Sequence, residues 1–591
     1  MGMSYASGPS VVPLLYKTIG NALDDAAATH GERDALVMRH QGIRLTYTQL
    51  AERVTRMAAG LLALGLEPGD RVGIWSANCT EWVVTQLATA KAGMILVTIN
   101  PAYNASEAEY CLRKVGCRAL VVAEGFRSHD YIATILDLVP EACSVPSAAL
   151  RSDRLPMLER LIVIGHSAHP GILTFADVEA GGNADVVEVL GRLDSTLQPD
   201  QPINIQFTSG TTGAPKGATL THHNILNNGY FSALRMGLTE GDRLCIPVPL
   251  YHCFGMVLGV LCCVTTGASM IFPGATFDPG ETLRCVEEER CTALHGVPTM
   301  MLAMLDHRDF AVAGLDTLRT GIMAGALCPA PLMRRVTEDM HMRDVTIGYG
   351  MTEVSPLAFQ TTASDSFEQR VETVGRVHHF VEAKVVDAEG RVVPSGEPGE
   401  VLFRGYSRML GYWDDPDQSA EAIDADGWMH SGDLGTMDED GYLRIVGRLK
   451  DMIIRGGENI YPREIEDALL QHPAVQDAHV FGIPDEYYGE VVCAWIRRQD
   501  NGIDEEGVRA FCAASLARYK LPQHVRFVDE YPMTVTGKVQ KYVMREQMMA
   551  LLKENTNNHR RENDGPSGAI PDREQRIGHD RSVADRRRTD R

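Results

Sequence analysis

RVGIWSANCTEWVVTQLATAKAGMILVTINP, residues 71–101, reads as strand, helix, strand. Arg71–Trp75 is a short apolar run, Glu81–Ala92 has helix-forming content, and Ile95–Ile99 is β-rich before Pro101. Gly93 falls just past the helical stretch, where a left-handed residue commonly closes a helix. Ala119–Ala123 and Leu161–Ile164 are further apolar runs of strand length. Strands alternating with helices predict an α/β fold with layered, mostly parallel sheets.

The texture changes after about residue 450. Pro462 suits the first position of a helix, and Glu464, Ile465, Ala468 and Leu469 follow at helical spacing. Strands are expected at Ala478–Ile483 and Val491–Ile496, and a helix from about Glu505 to Ala517. This describes a small α+β unit, with a boundary near Arg448–Asp451. The expected organisation is a large N-terminal domain over 1–449, a C-terminal domain over 450–552 and a charged tail over 553–591. The tail is crowded with Arg, Asp, Glu and Asn, and it cannot bury enough apolar surface to offset its ordering entropy.

Length and composition narrow the function classes. A chain of 591 residues exceeds what one core usually serves, and 44% apolar with 23% charged residues is ordinary for a soluble globular protein. The net charge of -22 repels nucleic acid and anionic lipid, so neither is expected as a partner. Thirteen cysteines occur without a CxxC pair, which fits neither a zinc site nor a secreted disulfide framework. Most are expected to be small, reduced core residues in a cytoplasmic protein. The start, Met1-Gly2-Met3-Ser4-Tyr5-Ala6, matches neither a secretory signal nor a myristoylation site. Cys253–Phe277 carries no charge, yet Gly267, Pro273 and Gly274 break its second half. A buried helix (about Phe254–Val264) and a buried strand (about Ser269–Phe272) are expected there rather than a membrane span.

The strongest chemical signal is Thr208-Ser209-Gly210-Thr211-Thr212-Gly213-Ala214-Pro215-Lys216-Gly217, which follows the apolar run Ile203–Phe207. Glycines let the backbone approach a ligand and expose N–H groups as an anion nest, while hydroxyls and Lys216 add donors for phosphate oxygens. Lys216 follows Pro215 and precedes Gly217, so the stretch is not a Walker A loop. A polar turn rich in Gly and Thr would have the same composition.

This segment resembles the phosphate loop of the adenylate-forming superfamily, which includes acyl-CoA synthetases, firefly luciferase and peptide-synthetase adenylation domains. Further similar motifs follow in the family's order: Tyr251-His252-Cys253-Phe254-Gly255, Tyr349-Gly350-Met351-Thr352-Glu353, Ser431-Gly432-Asp433, Gly447-Arg448-Leu449-Lys450-Asp451, Arg455-Gly456-Gly457-Glu458-Asn459 and Thr536-Gly537-Lys538. The resemblance covers roughly residues 15–550 and looks closest to medium-chain fatty acyl-CoA synthetases of the family-member-2 type. It implies a large N-terminal domain of layered α/β subdomains and a small mobile α+β domain. The implied reaction joins a carboxylic acid to coenzyme A through an acyl-adenylate, consuming ATP with Mg2+.

The resemblance also implies site residues. ATP and AMP would be held by Thr208, Ser209, Gly210, Thr211, Thr212, Gly213, Lys216, Gly325, Ala326, Tyr349, Asp433, Arg448 and Lys538. Thr208 and Glu353 would hold Mg2+, since a carboxylate beside a triphosphate is unfavourable unless a cation joins them. Thr352 would donate to the α-phosphate. Asp433 suits two vicinal ribose hydroxyls, although a turn Asp bonding its own backbone reads the same way. His252, Phe254, Gly296, Val297 and Met323 would line the acyl path; His252 and Phe254 could equally be core residues. Lys538 would bridge the charge that builds during adenylation, so Lys538, Thr352, Glu353 and His252 form the expected catalytic set. Lys450 sits at the family's hinge, and Arg455, Gly456 and Gly457 would face the pantetheine path in a second pose.

Peptide-synthetase domains usually place an Asp in the motif that here reads Cys253-Phe254, which argues against amino-acid substrates. An aryl acid, or transfer to a carrier protein instead of CoA, are the alternatives. Acyl length and oligomeric state are not written in the sequence.

Overall fold

The computed structural model describes residues 2–166, 169–208, 215–326, 328–456, 458–485, 487–499, 502–533 and 539–563, with backbone only at 149 and 554–563. Ser209, Gly210, Thr211, Thr212, Gly213, Gly457 and Lys538 lie outside the described residues. The described chain forms two compact units, one ending at Val539 and one beginning at Gln540.

Two large sheets dominate the first unit. Sheet I runs, in spatial order, Ile172–Thr174, Arg160–Ile164, Ala119–Ala123, Arg71–Trp75, Ile95–Thr98, Pro202–Thr208, Lys216–Thr221 and Gly411–Tyr412. Its first six strands are parallel, and its last two pairings are antiparallel. Sheet II runs Arg376–Val377, Leu357–Gln360, Asp344–Gly350, Thr320–Ala324, Ala293–Leu294, Arg243–Cys245, Ser269–Phe272, Asp34–Met38 and Ile43–Thr46, with parallel pairing in the middle. Parallel strands are covered on both faces, which is why Arg71–Trp75 and Ala119–Ala123 read as unbroken apolar runs.

One core joins the facing sides of the two sheets. It holds Val72, Ile74, Leu96 and Val121 of sheet I and Leu36, Met38, Met270 and Phe272 of sheet II. Helices Ile19–His30, Tyr47–Ala63 and Thr80–Lys91 contribute to the same core. Thr80–Lys91 is buried nearly all round, as a helix inside a layered protein should be. Tyr47–Ala63 begins with a capping box in which Thr46 and Gln49 satisfy each other's backbone N–H groups. Gly93 takes φ +70 at the end of the helix before Ile95, as the sequence predicted.

Sheet III is antiparallel: Tyr5–Ser7, Val381–Val386, Gly399–Gly405, Met429–Met437 and Leu443–Arg448. Sheet IV contains Glu458–Ile460, Ile453–Arg455, Gly489–Arg498, Val475–Asp485 and His524–Phe527. It has its own core of Ile453, Ile465, Leu469, Val480, Val492, Ile496 and Val508. The anticipated helix at Pro462 spans Pro462–Leu469. The helix expected to reach Ala517 stops at Ala513 and gives way to a short 3-10 turn at Arg518–Lys520. The second unit holds the helix Lys541–Asn563, which carries regular backbone past the expected tail boundary at Lys553. Residues 564–591 lie outside the described residues.

The uncharged stretch after Cys253 folds as buried helix, turn and strand, with one difference. Phe254–Leu261 winds as a π-helix before Cys262–Thr266 becomes α-helical, and Ser269–Phe272 is the strand. No helix among the described residues is long and apolar enough to cross a membrane. All thirteen cysteines are free thiols and all but Cys143 are buried.

Candidate active site

Thr208 ends one strand of sheet I and Lys216 begins the next, and the two are direct cross-strand partners. The phosphate-loop stretch is therefore the connection of an antiparallel hairpin, with Thr208 and Lys216 at its mouth. Glu353 reaches the same place from the edge of sheet II, within the 3-10 turn Thr352–Val354. Its carboxylate is buried at 6% exposure and accepts at Oε1 from the Thr208 hydroxyl (3.3 Å) and from the Tyr412 hydroxyl (2.9 Å). Among the described residues no donor meets Oε2. A half-satisfied, buried carboxylate next to a hydroxyl oxygen is a hard, oxygen-rich donor set that suits Mg2+. The Lys216 ammonium lies over the Tyr412 ring, 5.1 Å from its centroid. Burial and the neighbouring Glu353 push the Tyr412 phenol well above its ordinary pKa, so it stays a donor.

Asp433 and Arg448 are also cross-strand partners, on adjacent strands of sheet III. Arg448 Nε lies 3.2 Å from Asp433 Oδ1, and the Tyr349 hydroxyl donates to Oδ2 at 2.7 Å. The Asp433 N–H is held by Ser431 Oγ at 3.0 Å, so the turn is fixed independently of the carboxylate. Tyr349 is the second-last residue of the strand Asp344–Gly350 and packs near Phe403, with ring centroids 6.1 Å apart. Gly325 ends the neighbouring strand's turn at φ +85, and a Cβ there would lie 3.3 Å from Val297 Cγ1. Gly325 and Ala326 are exposed beside that strand, whereas Met323 is buried.

Four of the residues expected on the acyl path, Phe254, Gly296, Val297 and Met323, form an apolar wall around His295. His252 Nδ1 accepts from the Phe254 N–H at 3.3 Å, at the first residue of the π-helix. Phe254 is 7% exposed and leans on His295, with ring centroids 5.3 Å apart. His295 is fully buried; Nδ1 accepts from Ile322 N–H (3.2 Å) and Nε2 meets Leu258 O of the π-helix (2.9 Å). Burial pulls its pKa down to about 4, so it is neutral at physiological pH. Gly296 bridges Met323 in parallel register, and Val297 precedes the helix Pro298–Leu305. Between this wall and Glu353, the Cys253 thiol donates to Gln206 Oε1 at 3.0 Å and also meets the Thr352 side chain.

In the C-terminal part, Lys450 lies in the turn Leu449–Asp451 directly after the Arg448 strand. Burial and the adjacent Arg448 lower its pKa. Arg455 stacks on Tyr488 with 3.9 Å from guanidinium carbon to ring centroid, and Gly456 takes φ +61 with its N–H on Tyr488 O (2.8 Å). The sequence reading missed Tyr412 and Gln206. Tyr412 sits in Gly411-Tyr412-Trp413, which has no strand periodicity, and Gln206 looks like one polar residue in an apolar strand.

Comparison with known proteins gives the family. The profile of the AMP-binding enzyme family matches residues 23–413, and that of the AMP-binding enzyme C-terminal domain matches 464–538. The chain is 47% identical to the putative acyl-CoA synthetase YngI of Bacillus subtilis, over 91% of this chain and 98% of that protein. It is 45% identical to the mitochondrial medium-chain acyl-CoA ligase ACSF2 of Danio rerio, over 92% and 90% of the two chains. Among solved structures, the anthranilate CoA ligase AuaEII in complex with anthranoyl-AMP aligns with a TM-score of 0.78 at 28% identity, covering 91% of this chain and 98% of that one. The chain belongs to the AMP-binding, adenylate-forming enzymes, in their branch of AMP-forming acyl-CoA synthetases.

Proposed function

We propose that this synthetase activates medium-chain fatty acids in the cytoplasm, with ATP and Mg2+ seated between the hairpin mouth and the Asp433 turn. The observation that carries the reading is the meeting of two sets of residues. Thr208, Lys216 and Glu353 converge from three different segments, and an uncharged wall of Phe254, His295, Gly296, Val297 and Met323 lies one residue away through Cys253 and Thr352. Thr208 and Glu353 hold Mg2+, which supplies neutralisation of phosphate charge. Lys216 and the glycine- and hydroxyl-rich residues Ser209, Gly210, Thr211, Thr212 and Gly213 take the phosphate oxygens. Asp433 accepts the ribose hydroxyls, Arg448 supports it, and Gly325, Ala326 and Tyr349 flank the adenine.

The acid enters already ionised, since a carboxylic acid has a pKa of about 4. Its oxygen bonds to the α-phosphorus, and the bond to the departing pyrophosphate breaks. Thr352 donates to the α-phosphate, while His252 orients the acid without taking a proton. Lys538 bridges the oxygens whose charge grows during that step. In the second half-reaction the CoA sulfur bonds to the acyl carbon, the bond to AMP breaks, and the thiol proton leaves to water. A thiol with a pKa of about 8.5 needs little activation for this. Lys450 serves as the hinge between residues 1–449 and 450–552, and Arg455, Gly456 and Gly457 admit the pantetheine. Free, mostly buried thiols support a reducing compartment.

Pyrophosphate release measured from acetate to palmitate, and with benzoate analogues, tests the substrate assignment. A maximum among medium-chain acids is expected. A maximum at benzoates would favour the second reading, an aryl-acid ligase, which the likeness to the anthranilate ligase supports. Acyl-adenylate formed at full rate but never passed to CoA would point instead to a carrier protein as acceptor.

A further inference from the structure

Tyr412 belongs to none of the motifs that carry the nucleotide chemistry, yet it touches two of their residues at once. Its hydroxyl donates to Glu353 Oε1 at 2.9 Å, and its ring carries the Lys216 ammonium at 5.1 Å. We propose that Tyr412 is a positioning residue for adenylation, fixing the Glu353 carboxylate toward the cation and holding Lys216 at the hairpin mouth. The inference rests on the assignment of Glu353 and Lys216 to the Mg2+·ATP site.

The backbone around Tyr412 is built for this. The chain leaves sheet III at Gly405 and crosses to the edge of sheet I, where Gly411–Tyr412 pairs with Lys216–Thr221. Tyr412 stands opposite Ala218, and Trp413 N–H bonds Gly217 O at 2.8 Å. Leu410 N–H bonds Thr219 O at 2.9 Å, and Met409 N–H bonds the Glu353 carbonyl itself at 2.8 Å. The Tyr412 N–H is taken by Ser419 Oγ at 2.8 Å. One short segment therefore stitches the lysine's strand to the glutamate's turn, and the phenol sits where the two side chains meet. A group locked by its own backbone contacts holds a ligand in place at little entropic cost.

The carboxylate geometry gives the phenol a direction. Both hydroxyl donors, Thr208 and Tyr412, converge on Oε1. Two donors on one oxygen pin the carboxylate rotation and leave Oε2 as the open acceptor. The ring provides the second function: a cation over an aromatic face is held by the ring quadrupole, without consuming a donor that phosphate needs. Lys216 thus keeps its N–H groups available while its position is fixed.

Tyr412→Phe removes the hydroxyl and keeps the ring, whereas Tyr412→Leu removes both. Three readouts separate the roles: Mn2+·ATP affinity by electron paramagnetic resonance, the Mg2+ requirement of pyrophosphate release, and thioester formation from supplied acyl-adenylate. For Tyr412→Phe the Mn2+·ATP dissociation constant and the Mg2+ requirement should each rise about ten- to hundred-fold, the loss of one charge-assisted hydrogen bond. High Mg2+ should restore part of the rate, and the thioester step and thermal midpoint should hold. Tyr412→Leu should in addition raise the ATP half-saturation, through Lys216. Unchanged Mn2+·ATP affinity and Mg2+ requirement in Tyr412→Phe would overturn the proposal, as would equal loss of both half-reactions. Glu353→Gln is the control: if it leaves the Mg2+ requirement untouched, the metal assignment of Glu353 has failed. If Glu353→Gln shifts that requirement and Tyr412→Phe does not, the failure belongs to Tyr412 alone.

Discussion

Removing the Asp433 carboxylate is the sharpest test of the nucleotide assignment. In the structure Oδ2 accepts from Tyr349 at 2.7 Å and Oδ1 faces Arg448 at 3.2 Å. The turn itself is held through the Asp433 backbone, which leaves the fold intact in Asp433→Ala. If the carboxylate accepts two ribose hydroxyls, each charge-assisted bond is worth about 1.5 kcal/mol at the low end, so about 3 kcal/mol is at stake. At about 1.4 kcal/mol per decade that is roughly a hundred-fold in ATP half-saturation. Two things reduce it. The carboxylate must first give up part of its hold on Tyr349, and the half-exposed Arg448 pair contributes little of its own. The expected rise is therefore about ten- to hundred-fold, read from initial rates of pyrophosphate release against ATP. Asp433→Asn keeps an acceptor but loses the charge and should fall between. An unchanged ATP dependence in folded Asp433→Ala would refute the ribose role.

Lys538→Ala should lower adenylation by about 10²–10³, by analogy with the loss of an oxyanion donor, while thioester formation from supplied acyl-adenylate survives. Equal loss of both half-reactions would sink the two-pose scheme. Acid should destabilise the fold through its buried histidines. Burial holds His222 near about 3 and His295 near about 4, below an unfolded value of about 6.5. The unfolded chain then binds the protons the folded one refuses, so stability falls as pH drops from about 6.5 toward 4, by up to about 1.4 kcal/mol per unit for each histidine. His295→Asn should flatten that slope in urea titrations at pH 7 and 5; a slope identical to wild type would contradict the assignment.

The parallel strands of sheets I and II were legible because burial on both faces leaves continuous apolar runs such as Ala119–Ala123. Sheet III was not. Met429–Met437 reads Met-His-Ser-Gly-Asp-Leu-Gly-Thr-Met, a loop by composition, and becomes a strand only through its neighbours on either side. The π-winding of Phe254–Leu261 likewise left no periodic trace, because every residue in it is buried. Glu353, Asp433 and Lys216 could be found since each sits in a local run of glycines and hydroxyls. Tyr412 meets Glu353 across 59 residues and Gln206 meets Cys253 across 47, contacts that only the folded topology creates.

The wide winding of Phe254–Leu261 gives the acyl wall an unusual route to change. A π-helical turn holds one residue more than the α-helical turn it replaces. Shortening the stretch by a single residue would let it relax to ordinary α-helix while the turns on either side keep their facing. The contacts of Phe254 and Leu258 with His295 would then be remade on a narrower turn. If the wall seats an acyl tail as proposed, its contour is open to change by a one-residue deletion as well as by side-chain exchange.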